Sequence, residues 1–152
     1  MAVTDIVTVA ANSRVTIAVH ALTWMALAAR RGQPVMTSDE VAASVNTNAV
    51  IIRRSLGDLR GKGLVEVRHG AGAGWSLARE PAEITLLDVY DAVEPGPLFA
   101  LHHSEPNLRC PVGKGIRPAL TTIYGGVEDV LRRELAQTTI ADVLRETVDE
   151  RP

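Results

Sequence analysis

A chain of 152 residues has room for one ordinary domain and little left for a second. Its composition, 46% hydrophobic and 22% charged, excludes a disordered chain, and aromatic content of 3% requires an aliphatic core. A formal net charge of -2 gives no global sign of a polyanion partner, and a single cysteine, Cys110, excludes an intrachain disulfide and an all-cysteine metal site.

The first residues, MAVTDIVTVAANSR, carry no basic segment ahead of their apolar positions, so no secretory signal is expected. The most apolar run, Val15 to Ala29, lies between Arg14 and Arg30 and contains Thr16, His20 and Thr23. It is shorter than a bilayer requires. It reads as a buried helix, from about Ser13 to Arg31, that stops at Gly32 and Pro34. On that apolar helix His20 is expected to be a core or interface histidine. No membrane segment and a cytoplasmic setting are expected.

In MTSDEVAASV, Thr37 or Ser38 caps a short helix with Asp39 and Glu40 in its first turn, favourable against the helix dipole. After the polar break Asn46-Thr47-Asn48 a second capped helix, AVIIRRSLGDLRGKG, ends at glycine. At about 100 degrees per residue, Ile52, Leu56 and Leu59 share one side, and Val50, Arg54, Gly57 and Gly61 share the other, with Arg53 on the flank. Two short helices with a tight turn, the second having a small and cationic outer face, form the pattern of a helix-turn-helix whose second helix enters the major groove. The bland alternative is a surface helix with two solvated arginines.

The next segment, LVEVRHGAGAGWSLARE, alternates around three spaced glycines. A phosphate-cradling loop needs its last glycine to open a helix. Here Trp75-Ser76-Leu77 and then Pro81 follow, so the segment reads as two strands joined by a glycine tip, Gly70 and Gly72 within it. From Arg53 to His69 the basic residues Arg53, Arg54, Arg60, Lys62 and Arg68 face only Asp58 and Glu66, a local charge of +3 with His69 neutral. That is the patch a nucleic-acid backbone would need.

ITLLDVYDAVEP reads as a helix ended by Pro95. The loop LFALHHSEPNLRCPVGKG holds His102, His103 and Cys110. Cys110 is open to three readings: a redox-sensing thiol favoured as thiolate by Arg109 and Lys114, a metal ligand beside His102 or His103, or a small buried residue at a bend set by Pro111 and Gly113. A longer helix is expected from about Arg117, with Pro118 in its first turn. Its Ile116, Leu120, Ile123, Val127 and Val130 recur at helical spacing as a seam for a partner helix, or alternatively for the chain's own core. Gly125-Gly126 permits a kink or a close helix contact. A last helix spans about Thr138 to Val148.

Several blocks in this order, Ser13-Arg14-Val15 with AVHAL, NTNAVIIRRSLGDLRGKGLV, GAGAGWSLAREPAEITLLDVYDAVE and CPVG, resemble the Rrf2 family of bacterial winged-helix transcription regulators, over roughly Ser13 to Val148. The resemblance implies a dimeric, cytoplasmic regulator, a repressor by expectation, that binds a near-palindromic double-stranded DNA operator. By that analogy Asn48 to Lys62 is the recognition helix and His69 to Trp75 the wing. Family members that bind an iron-sulfur cluster carry three cysteines in the loop where this chain has Cys110 alone. A three-cysteine cluster is thereby excluded and no cofactor is expected, although Cys110, a histidine and ligands from a partner chain could build a mixed site.

The expected fold is mainly α with a small β-hairpin wing: a winged helix-turn-helix over residues 1–94, a loop with a sensor role over 95–115, and dimerisation helices over 116–152. DNA contacts are expected from Thr37, Ser38, Asn48, Val50, Ile51, Arg53, Arg54, Arg60, Lys62, Arg68, His69, Gly70 and Gly72. No enzyme is expected, because no third residue orients Cys110 with His102 or His103 and no nucleotide, metalloprotease or nucleophile motif occurs. A winged helix used for protein contacts is the competing module. The effector and the operator sequence are not readable from the residues.

Overall fold

The computed structural model describes residues 13–94 and 96–149. Helix α1 spans Arg14–Arg30, α2 Ser38–Val45 and α3 Ala49–Gly61. Strands β1 (Val65–Arg68) and β2 (Gly74–Leu77) form an antiparallel hairpin, with Val65 opposite Leu77 and Arg68 opposite Gly74. A 3-10 turn at Pro81–Glu83 leads into α4 (Leu86–Val93), then α5 (Pro111–Leu135) and α6 (Ile140–Leu144), which continues as a π-helical turn over Arg145–Asp149.

The helix boundaries follow local chemistry. Thr37 caps α2 by accepting the Glu40 N–H, while the Glu40 carboxylate accepts the Thr37 N–H at 2.9 Å, a reciprocal box that satisfies two otherwise orphaned donors. Asn46 ends α2 in the left-handed region at φ 64, a conformation asparagine tolerates better than most residues. Two residues later the Asn48 Oδ1 accepts the Ile51 N–H at 3.0 Å and starts α3. The sequence around Asn46 therefore builds the tight turn that sets α3 against α2.

Helix α1 is the hub, packing on α2, α3, α4 and α6. Leu22, Ile52, Leu56, Leu59, Ile84 and Ile140 are fully buried in one aliphatic core. Each such side chain contributes about 1.5 to 3 kcal/mol relative to an exposed position.

Some of these boundaries are corrected here. The long helix starts at Pro111, not near Arg117, because Pro111 takes its first position, where a missing N–H costs nothing. Pro118 consequently lies inside the helix and residues 111–115 belong to it rather than to a loop. The last helix places Ile140 and Leu144 in the shared core against α1. Its cap is another reciprocal box between Thr139 and Asp142. Pro95, expected to end α4, lies outside the described residues. His20, expected in a core or interface, is exposed and shares a hydrogen bond of 2.9 Å with the Ser44 hydroxyl.

Candidate nucleic-acid interface

Helix α3 is divided as its periodicity predicts. Ile52, Leu56 and Leu59 are buried, whereas Arg53, Arg54, Gly57, Arg60 and Gly61 are exposed and Val50 keeps 58% of its surface. Ile51 lies at the exposed start of the same helix. Gly57 and Gly61 have ordinary helical backbone and open space where a side chain would stand. Nothing among the described residues demands glycine there, although glycine in a helix costs about 1 kcal/mol relative to alanine. The outer face of α3 is thus thinned at the expense of its own stability, which leaves room for a body approaching from outside.

The first helix of the pair contributes at its N-terminus. Ser38 is half-buried, and its hydroxyl lies 3.4 Å from an Arg53 guanidinium nitrogen, so the two helices present these groups side by side. Thr37 and Asn48 are exposed, and while their oxygens accept the capping bonds, the Thr37 hydroxyl proton and the Asn48 amide nitrogen are donors suited to a phosphate.

The hairpin carries Arg68, His69, Gly70 and Gly72 at its exposed end. Gly70 and Gly72 adopt φ 79 and φ 73, which side chains disfavour, and the Ala73 N–H closes the tip on the Gly70 carbonyl at 3.1 Å. No helix follows the glycines, since Gly74–Leu77 is a strand, so the phosphate-loop alternative is excluded. An isolated bridge, not apparent in the sequence, backs the wing: Met36 and Trp75 exchange both backbone hydrogen bonds, at 2.7 and 2.9 Å. Gly74 permits this approach, because a Cβ there would stand 2.7 Å from the Met36 carbonyl oxygen. The dipeptide Ala73-Gly74 gave no sign of it, since Met36 lies far away in sequence. Lys62 is exposed where α3 runs into the wing, so the basic residues of the +3 segment all lie in exposed positions on α3 or the hairpin.

The loop before α5 is differently placed. Cys110 is the exposed N-cap of α5, not a buried bend residue. The backbone N–H groups of Gly113 and then Val112, at the start of α5, hold its thiol below the ordinary range. Gly113 itself backs onto the Asn107 carbonyl so closely that no side chain fits. The rings of His102 and His103 stack at 4.6 Å, and Arg117 donates to the carbonyls of His102 and Ser104 at 2.9 Å each. Among the described residues no group of three or more His, Cys, Asp or Glu side chains lies together as a metal site would need.

Helix α5 is about 37 Å long and buries none of its residues in the chain. Ile123, Val127 and Val130 are exposed at 57%, 42% and 59%, while Ile116 and Leu120 are half-buried. The alternative that this seam packs on the chain's own core does not hold for those three. Among the described residues no helix is long and apolar enough to cross a membrane.

Comparison with known proteins agrees with this geometry. The family model described as Rrf2, iron-dependent transcriptional regulator, matches residues 11–146. The HTH-type transcriptional regulator YwnA of Bacillus subtilis is 38% identical over 134 residues, covering 88% of this chain and 96% of the relative. A crystal structure described as a DNA binding protein is similar at 34% identity and a TM-score of 0.69, over 87% of this chain and 99% of that one. A transcriptional regulator from Lactobacillus plantarum is similar at 26% identity and a TM-score of 0.73, over 91% of both chains. Proteins of this kind are regulators and not enzymes, and with its helix-turn-helix, two-stranded wing and long C-terminal helix, the chain belongs to the Rrf2 family of transcriptional regulators.

Proposed function

We propose that the protein is a repressor that binds a near-palindromic double-stranded DNA operator as a homodimer. The observation that carries this reading is the outer stripe of α3, where Val50, Arg54, Gly57 and Gly61 are exposed and the two glycines meet no other described residue. In the major groove Val50 would meet a thymine methyl, while Arg53 and Arg54 would reach guanine edges or phosphates. Thr37, Ser38, Asn48, Arg60 and Lys62 would hold the backbone, and Arg68 and His69 on the glycine-tipped wing would meet phosphate or the minor groove. Residues 13–94 together with the last helix form the DNA-binding unit in this reading, and α5 supplies the dimer seam through Ile116, Leu120, Ile123, Val127 and Val130. Two recognition helices related by a two-fold axis demand a symmetric site, and occupation of a promoter by such a dimer represses by occlusion.

A redox input through Cys110 is a second element of the proposal, favoured by the exposure of its thiol and by the N–H groups that stabilise its thiolate. No cofactor is part of this reading. Selection of duplexes from a random pool at fixed salt, once reduced and once after mild peroxide, tests the whole. A two-fold symmetric site in the reduced run supports the dimeric regulator, and its loss on oxidation, absent in Cys110→Ser, supports the sensor. No enriched site in either run would favour a winged helix used for protein contacts.

A further inference from the structure

Asp58 is the one acid of α3, and it stands on the outer face of that helix. It is exposed, about 40 degrees around the helix from Arg54 and about 60 degrees from Gly61. Among the described residues its carboxylate makes no hydrogen bond or ion pair, although Arg54 and Lys62 each lie four residues away, the spacing at which helix charges meet. The other acid of the basic segment, Glu66, lies on β1 and not on this helix.

Aspartate is unfavourable to the helix that carries it. Its helix propensity is low, and it occupies the last turn of α3, where the unpaired carbonyls repel an anion. It is unfavourable to a polyanion as well. Gly57 and Gly61 on either side leave open space, so a duplex comes nearest to α3 over this stretch, and a carboxylate there repels phosphates at distances too short for salt to screen. A charge that opposes both folding and attraction to DNA calls for a partner outside the chain.

The floor of a major groove supplies one group that satisfies a carboxylate, the exocyclic amine. Cytosine N4 presents it alone, adenine sets an acceptor N7 beside it, and guanine offers acceptors only. We infer that Asp58 is a specificity-determining residue that accepts a hydrogen bond from cytosine N4 and, through its charge, penalises any duplex without cytosine at that place. The role rests on the DNA-binding reading of α3. Within that reading the arginines attract every duplex, and Asp58 withholds affinity from the wrong ones.

Asp58→Ala, Asp58→Asn and, for comparison, Glu66→Ala test this in the full-length protein. The probes are the duplex that the wild type selects, its single-base variants and an unrelated duplex of equal length. Asp58→Ala is expected to lower discrimination at one base pair of each half-site by roughly fivefold or more, and to raise affinity for the unrelated duplex by about threefold. Asp58→Asn should move the preference at that base pair from cytosine to adenine, whose N6 and N7 an amide meets with both its atoms. Urea unfolding separates recognition from folding, because neither variant should be less stable than the wild type. Base preferences that stay as they were, with or without a uniform gain in affinity, overturn the role and leave Asp58 a solvated acid. The same loss of preference in Glu66→Ala overturns it too, since net charge alone would then set selectivity. A wild type that selects no duplex sinks the DNA-binding reading and this role together, whereas a selected site whose preferences survive in both Asp58 variants sinks this role alone.

Discussion

Arg132 donates through both terminal guanidinium nitrogens to the carboxylate of Asp91, at 2.8 and 3.0 Å. This bidentate pair links the last turns of α5 to α4, and α4 packs on α3. Because α5 has no fully buried residue to fix it, the pair bears on the angle at which the long helix leaves the DNA-binding unit. Both side chains are 39% exposed, so its value lies in geometry rather than in stability. Arg132→Ala should leave thermal stability nearly unchanged and relax the preference for one half-site spacing. Affinities on duplexes with one base pair added to or removed from the spacer check this; an unaltered spacing preference would remove the pair from any positioning role.

Recognition should depend on Arg54 more than on its charge alone. Arg54→Ala is expected to cost roughly 1 to 3 kcal/mol of specific binding if the guanidinium reads a base edge, and to relax selectivity at that base pair. Competition between the selected site and single-base variants measures it. Equal loss across all sequences would reassign Arg54 to phosphate.

Gly57→Ala separates folding from binding. A Cβ there meets nothing among the described residues, so the substitution should stabilise the protein by up to about 1 kcal/mol in urea unfolding. The same methyl on the outer face should weaken operator binding. A variant that is both more stable and equally tight on DNA would show that no groove floor comes close to Gly57.

Gly74→Ala tests the bridge between Met36 and the wing. Its Cβ would press on the Met36 carbonyl and, at 2.8 Å, on Val35 Cγ1, so backbone must move. A loss of about 1 to 3 kcal/mol is expected, together with faster amide exchange at Met36 and Trp75. Retention of both backbone bonds at full stability would contradict the packing described.

Cys110 should alkylate at lower pH than a free cysteine. The N–H groups of Gly113 and then Val112 favour the thiolate, which lowers the folded-state value. The half-maximal pH for reaction with iodoacetamide should therefore lie below that of the urea-unfolded chain. The sign for stability follows: this contribution is complete above the unfolded value and disappears as pH falls through the depressed one. Identical midpoints in the two states would leave the sensor proposal without its chemical basis.

Residues with local causes were legible in the sequence. The cap at Thr37, the turn at Asn46 to Asn48, the buried Ile52, Leu56 and Leu59, and the strand character after the glycines each follow from spacing within a few residues. The start of α5 was misplaced because Pro118 was read as a first-turn proline, while Pro111 and the unusual role of Cys110 as N-cap gave no periodic signal. Exposure of Cys110 was equally hidden, since burial depends on what lies across from a residue rather than beside it.

The sequence by itself determined the helix-turn-helix, the glycine-tipped hairpin and the basic character of the segment joining them, because helical and strand periodicities and turn chemistry act over short distances. Only the tertiary structure decided that Met36 pairs with Trp75, that Asp91 holds Arg132, that Ile140 joins the α1 core and that the α5 seam is left open. Those relationships join positions tens of residues apart, and closing such distances depends on how whole helices pack, which no local pattern encodes.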